Sequence, residues 1–181
     1  AMLLKIRPRA QGGKNVKFDQ FQFLARQTFG QIDAQGVPAE RFDEIPVQGL
    51  PPLVLAYIGD AFFSLFVRTK LLHFEQSKVR VLHNHGARMV SATLQAQALK
   101  KLEPDLSESE LDIVRRGRNA KSAVPKSASV GDYRSSTGFE ALLGYLYLNK
   151  NEARLEQLAE LAFVAISREI ANPIENDGEK K

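Results

Sequence analysis

PPLVLAYIGDAFFSLFVRTKLL, residues 51–72, is an apolar run of about five helical turns that holds a single acid, Asp60. Pro51 and Pro52 suit a first turn, where a missing backbone N–H costs nothing, and no further proline interrupts the run. On a 3.6-residue period Asp60 shares its face with Ala56, Phe63, Ser64 and Val67, which predicts an acid on an apolar stripe rather than a solvated one. An ionised carboxylate there is costly unless it is paired, hydrogen-bonded or bound to a metal. Gly59 sacrifices helix propensity, and in return it lets another backbone or a ligand come close. The plainer alternative is an ion pair with Arg68 or with an arginine from another helix.

A second stretch, YRSSTGFEALLGYLYLN at 133–149, is again apolar with one acid inside it, Glu140. On a helix Glu140 precedes Leu143, Gly144 and Tyr147 on one face. A capping box between Thr137 and Glu140 is the competing reading, in which the glutamate only satisfies a helix N-terminus. Two apolar helices, each with one carboxylate beside or near a glycine, point instead to a shared site. Carboxylates meeting in a core repel and take up a proton. A hard divalent cation resolves that conflict, because magnesium prefers oxygen ligands.

These residues carry a family resemblance. LAYIGDAFFSLFVR (55–68) resembles the signature helix of the ribonuclease III family, and RSSTGFEALLGYLYL (134–148) resembles that family's second acidic helix. Between them, HNHGARMVSATLQAQAL (83–99) and VRRGRNAKS (114–122) are similar to the minimal Mini-III branch. The resemblance spans roughly residues 49–170 and implies an all-α, dimeric ribonuclease III endonuclease domain. It implies cleavage of double-stranded RNA to 5′-phosphate and 3′-hydroxyl ends, with Mg2+ as cofactor and Mn2+ as a substitute. It makes Asp60 and Glu140 the catalytic metal ligands. Full-length relatives carry acids where this chain has Leu53, Ala56 and Thr137, so waters and RNA phosphates would fill more of the metal's shell. It further implies a large-subunit ribosomal RNA precursor as substrate, a ribosomal protein as an assisting partner, and a cytoplasmic location in bacteria or a plastid one in a photosynthetic eukaryote. The alternative is an inactive ribonuclease III-fold scaffold that binds RNA or the ribosome, but such a scaffold has no reason to keep both acids.

The chain has 181 residues, 44% of them hydrophobic, enough for one cored domain with tails. Without cysteine it has neither disulfides nor thiolate metal sites. The formal net charge of +4 permits nucleic-acid binding without demanding it. No run reads as both long enough and charge-free enough to span a bilayer, since Asp60 interrupts the best candidate, so no membrane partner is expected.

Residues 1–48 read as a basic flexible arm with a candidate short helix over 18–30 and a linker punctuated by Gly36, Pro38, Pro46 and Gly49. Residues 49–171 form the catalytic domain, and 172–181 a polar tail too short for an RNA-binding domain. Substrate grip is therefore expected from the catalytic dimer and its loops. Inside the domain one long helix is expected over 77–101, its buried stripe made by Val79, Leu82, Gly86, Met89, Val90, Thr93 and Leu94. His83 and His85, two apart, face different ways and cannot readily share an ion. Arg80, His83 and Arg88 are assigned to RNA or intersubunit contact.

The next helix opens on a Ser107/Glu110 capping box and is expected to close with Gly117 as the residue just past its end. Its acids-first, bases-last gradient suits the helix dipole. The dipole does not explain why positive charge continues beyond it. Arg115, Arg116, Arg118, Asn119, Lys121 and Lys126 are therefore assigned to RNA, as forks and short polar groups suited to phosphates and 2′-hydroxyls. A last amphipathic helix covers 152–170 and stops at Asn172-Pro173.

Overall fold

A proline pair, two serine caps and runs of apolar residues set the helix ends in the computed structural model, which describes residues 45–121 and 128–172. The described residues form six α-helices, α1 (Pro52–Leu71), α2 (Val79–Met89), α3 (Ala92–Leu102), α4 (Glu108–Asn119), α5 (Val130–Leu148) and α6 (Glu152–Ala171). The expected short helix over 18–30, most of the arm and linker, and the tail from Pro173 lie outside the described residues. Short 3-10 turns cover Val47–Gly49 and Glu103–Asp105. Val47 and Leu50 pack on the core, and Gln48 Nε2 donates to the Tyr145 hydroxyl at 2.7 Å.

α5 lies at the centre and packs against α1, α4, α3 and α6. Ser136, Thr137, Gly138, Phe139, Ala141, Leu142, Leu143, Gly144 and Leu146 are buried, on nearly every side of the helix. α1 is the largest neighbour of α5, burying Leu55, Ala56, Gly59, Phe63 and Val67 on one side only. By length and composition α1 could cross a membrane, contrary to the sequence expectation, yet its buried face is taken by the rest of this domain.

Glycines let these helices touch backbone to backbone. A Cβ on Gly59 would stand 1.8 Å from the Glu140 carbonyl oxygen, and one on Gly144 would stand 1.9 Å from that of Leu55. A similar crossing joins α4 to α5, where a Cβ on Gly117 would lie 2.7 Å from the Gly138 Cα. Gly117 is therefore a packing residue inside α4, which runs on to Asn119, and not the residue past its end. Around the first crossing, Phe63 meets Phe139 edge-on at 5.1 Å, a geometry favoured by the ring quadrupoles.

The single helix expected over 77–101 is two. Ser91 adopts an extended conformation and breaks the chain into α2 and α3. The break resets the helical phase, so Thr93 is exposed while Gln95, Ala98, Leu99 and Leu102 are buried. The Thr137/Glu140 capping box is also absent. α5 starts earlier, capped by Ser129 Oγ, which accepts from the Asp132 N–H at 3.0 Å. Thr137 is buried within it and donates its hydroxyl to the Tyr133 carbonyl.

The capping box of α4 is present: Ser107 Oγ accepts from Glu110 N–H, and the Glu110 carboxylate accepts from Ser107 N–H at 2.8 Å. Glu110 also holds Arg154 of α6 at 2.8 Å. The arginine's hydrogen bond keeps this carboxyl below the usual range despite its burial. The α5–α6 turn is a Schellman motif, with Asn151 N–H reaching Leu146 O and Lys150 N–H reaching Tyr147 O, and Lys150 carries the left-handed φ of 56° that glycine usually supplies.

Replacing Gly144 by alanine must push α1 from α5, because the obstacle is a backbone carbonyl. Gly144→Ala is expected to cost about 2 kcal/mol or more in urea unfolding, as overpacked cores do. Gly131→Ala, in the open first turn of α5, should change stability by about 1 kcal/mol or less, towards stability. Equal effects at the two positions would refute the crossing.

Candidate active site

The crossing of α1 and α5 assembles the site. Gly144 rests on Leu55 and Gly59, and Gly59 rests on the Glu140 carbonyl, so one turn of each helix is in contact. Asp60 follows Gly59 directly, which sets the two acids beside one another, and the charge of Asp60 acts on Glu140.

Their surroundings differ. Asp60 is exposed, which corrects the expectation of a stripe buried on the core. Ala56 and Phe63 on one side are buried, whereas Tyr57 and Ala61 on the other are exposed. Asp60 thus stands at the edge of the buried face, within reach of solvent and substrate. It makes no ion pair among the described residues, so the Arg68 alternative is not found. Glu140 is half-buried mid-helix. Burial first, and the Asp60 charge second, push its carboxyl up to about 8, while a hydrogen bond from Gln95 pulls the other way.

Sequence reasoning misses Gln95 altogether. It is 1% exposed, and its Nε2 donates to the Val90 carbonyl at 2.8 Å. A glutamine among QAQ reads as surface, and only the phase reset at Ser91 turns it inward.

The basic residues fall into two groups. At the end of α4, Arg115 pairs with Asp112, Arg116 donates to the Leu50 carbonyl at 3.1 Å, and Arg118 pairs with Glu103 at 3.2 Å. Arg116 therefore has a structural task, fastening the entry to α1. The Arg118 stem lies against Gly138, so the end of α4 packs on the side of α5 turned away from Glu140. Asn119 and Lys121 are exposed, and Lys126 lies outside the described residues. Arg80, His83, His85 and Arg88 are exposed on α2. Among the described residues no three His, Cys, Asp or Glu side chains cluster as a metal cage.

The donor set nonetheless fits a hard divalent cation. Both candidate ligands are carboxylates, and burial first and the Asp60 charge second raise Glu140 in a way that a cation would reverse. With two protein ligands, water and substrate oxygens have to complete the shell.

The chain has relatives among known proteins. The ribonuclease III domain family matches residues 53–151. A Mini-ribonuclease 3 of Symbiobacterium thermophilum is 52% identical over 120 residues, covering 66% of this chain and 92% of that protein. The Mini-ribonuclease 3 of a Thermoanaerobacter species is 50% identical over 121 residues, covering 66% and 85%. That of Thermosynechococcus vestitus is 41% identical over 128 residues, covering 71% and 83%. A crystal structure of a Fusobacterium nucleatum protein superposes with a TM-score of 0.60 at 30% identity, covering 65% of this chain and 95% of that one.

The raised Glu140 carboxyl has a consequence for metal-free protein. Between the ordinary value of 4.5 and about 8 the native state holds a proton that the unfolded chain has lost. Stability in EDTA should therefore fall as pH rises through that window and level off above it. Glu140→Gln should flatten this slope, read from urea midpoints across the window. An identical slope in the variant would assign the pH dependence to other groups.

Proposed function

The chain belongs to the ribonuclease III family, in its Mini-ribonuclease 3 branch, and on that premise we propose that Asp60 and Glu140 form its magnesium-dependent catalytic centre. As a family member it is an endoribonuclease acting on double-stranded RNA. The observation that carries the proposal is the glycine-built crossing, which brings one solvent-facing and one half-buried carboxylate together.

Magnesium, or manganese in its place, would be held by Asp60 and Glu140 and would supply positive charge at the scissile phosphate and lower the pKa of an attacking water. Asp60, at the solvent edge, faces the incoming backbone. Glu140 has to give up its proton to serve as a ligand, and Gln95 favours the ionised form. Arg115, Arg118, Asn119 and Lys121 are proposed to hold RNA phosphates, with Arg80, His83 and Arg88 as a second basic area. The products follow the family, a 5′-phosphate and a 3′-hydroxyl.

We further propose a twofold dimer. Val54, Tyr57, Ala61 and Leu65 run along the outer face of α1 at helical spacing and are exposed, Tyr57 by 76% and Leu65 by 64%. A second copy of this stripe would cover it by twofold symmetry, giving one site for each strand of a duplex. A monomer mass in light scattering from fully active protein would remove the dimer. The precursor of large-subunit ribosomal RNA is the proposed substrate, with a ribosomal protein as presenting partner, by likeness to the branch. The location proposed with that role is the bacterial cytoplasm or a plastid.

Asp60→Asn and Glu140→Gln should each abolish cleavage of a long RNA duplex in magnesium, while duplex binding stays near that of the parent and both variants remain folded. Near-parental cutting by either variant would take that residue out of the site.

Arg118→Ala combined with Lys121→Ala, made in a Glu140→Gln background, should weaken duplex binding for every sequence tested. Each lost phosphate contact should lower the log–log salt slope by something under about 1. An unchanged slope would confine Arg118 to its pairing with Glu103. Arg116 is left out because its loss would also loosen the entry to α1.

A further inference from the structure

Gln95 is the most deeply buried polar side chain near the acid pair, and its bonding is lopsided. Its Nε2 donates to the Val90 carbonyl at 2.8 Å, the same amide hydrogen-bonds the Glu140 side chain, and its Oε1 is buried with no partner among the described residues. Leaving an amide oxygen unpaired in a core costs stability. Flipping the amide would aim Oε1 at Val90's carbonyl, oxygen against oxygen. The Val90 carbonyl thus fixes which end of the amide faces Glu140, and it is the N–H end. That carbonyl is free to accept because the helix breaks at Ser91, so the break between α2 and α3 and the orientation of the amide are one feature.

We propose that Gln95 is a positioning residue: its buried amide, locked by the Val90 carbonyl, holds the Glu140 carboxylate in the orientation that takes the divalent cation. The inference rests on the reading of Glu140 as a metal ligand. Groups behind a ligand typically change metal affinity by about 10- to 100-fold when removed, because they fix the ligand's direction without touching the ion. The partnerless Oε1 fits such a role, since stability alone would favour an apolar side chain at this position.

The test uses the full chain with Mn2+ alone as probe. Gln95→Met keeps the volume and removes the donor. It is expected to weaken Mn2+ binding, followed by calorimetry without RNA, by about ten-fold or more. It should lower kcat with KM and duplex affinity unchanged, a split that general loosening of the fold would not produce. Parental Mn2+ affinity in folded Gln95→Met would overturn the proposal. If Gln95→Met does not fold, the parent protein decides. The Gln95 side-chain amide protons should resist solvent exchange and shift in nuclear magnetic resonance spectra when Mg2+ is added, and this response should vanish in Glu140→Gln. Amide signals indifferent to Mg2+ would overturn it equally. Glu140→Gln measured alongside separates the two levels: lost Mn2+ binding there with none lost in Gln95→Met defeats the Gln95 inference alone, whereas Mn2+ binding and cleavage retained in Glu140→Gln defeat the reading of Glu140 beneath it.

Discussion

The contact of Gly59 with the Glu140 carbonyl, and of Gly144 with that of Leu55, is the constraint on which the rest of the structure depends. Side chains normally hold helix axes about 8–10 Å apart. Without Cβ atoms at the crossing, backbone meets backbone, and the residues flanking the contact on both helices are brought together. Asp60 and Glu140 are among those residues. Each glycine costs helix propensity of up to about 1 kcal/mol, and the loss is offset by close packing of α1 on α5 around Phe63 and Phe139. Burial of Glu140, and after it the neighbouring Asp60 charge, adds a further cost, seen in the raised Glu140 carboxyl. Such opposition between stability and site chemistry is common where function requires unfavourable neighbours.

α5 is the hub through which the pieces communicate. Its glycines face two partners: Gly144 receives α1, and Gly138 receives α4. The second contact lays the Arg118 stem on the α4 side of α5, so the same helix positions both the acid pair and the basic end of α4. α3 approaches the same helix with Gln95. A half-buried glutamate mid-helix thereby meets an acid and an amide, each from a different helix, and rigid elements of this kind hold side chains in fixed directions.

The two faces of α1 divide the labour. One face makes the core, with Leu55, Phe63 and Val67 fully buried. The other carries exposed Val54, Tyr57 and Leu65, and Asp60 lies at the margin between them. This two-sidedness also explains why α1 is long and apolar enough to resemble a membrane span: it has apolar residues on both faces, but the domain buries only one of them.

The sequence by itself determined the helical content of the described residues and most of their helix ends, and it singled out the two acids, because these rest on local signals. Paired prolines, the serine cap of α4, apolar periodicity and an isolated carboxylate in each of two apolar runs are all readable along the chain. The motif resemblance added the family, and the comparisons agree with it. Tertiary structure alone decided what depends on phase and on partners. A single extended residue, Ser91, split one expected helix and turned Gln95 inward, an effect that a uniform 3.6-residue count cannot register. Gly117 read as a helix end and is a crossing point, since propensity is blind to an approaching backbone. Asp60 read as buried and is exposed, because periodicity fixes a residue's angle around its helix but only the packed neighbours decide where the buried face stops.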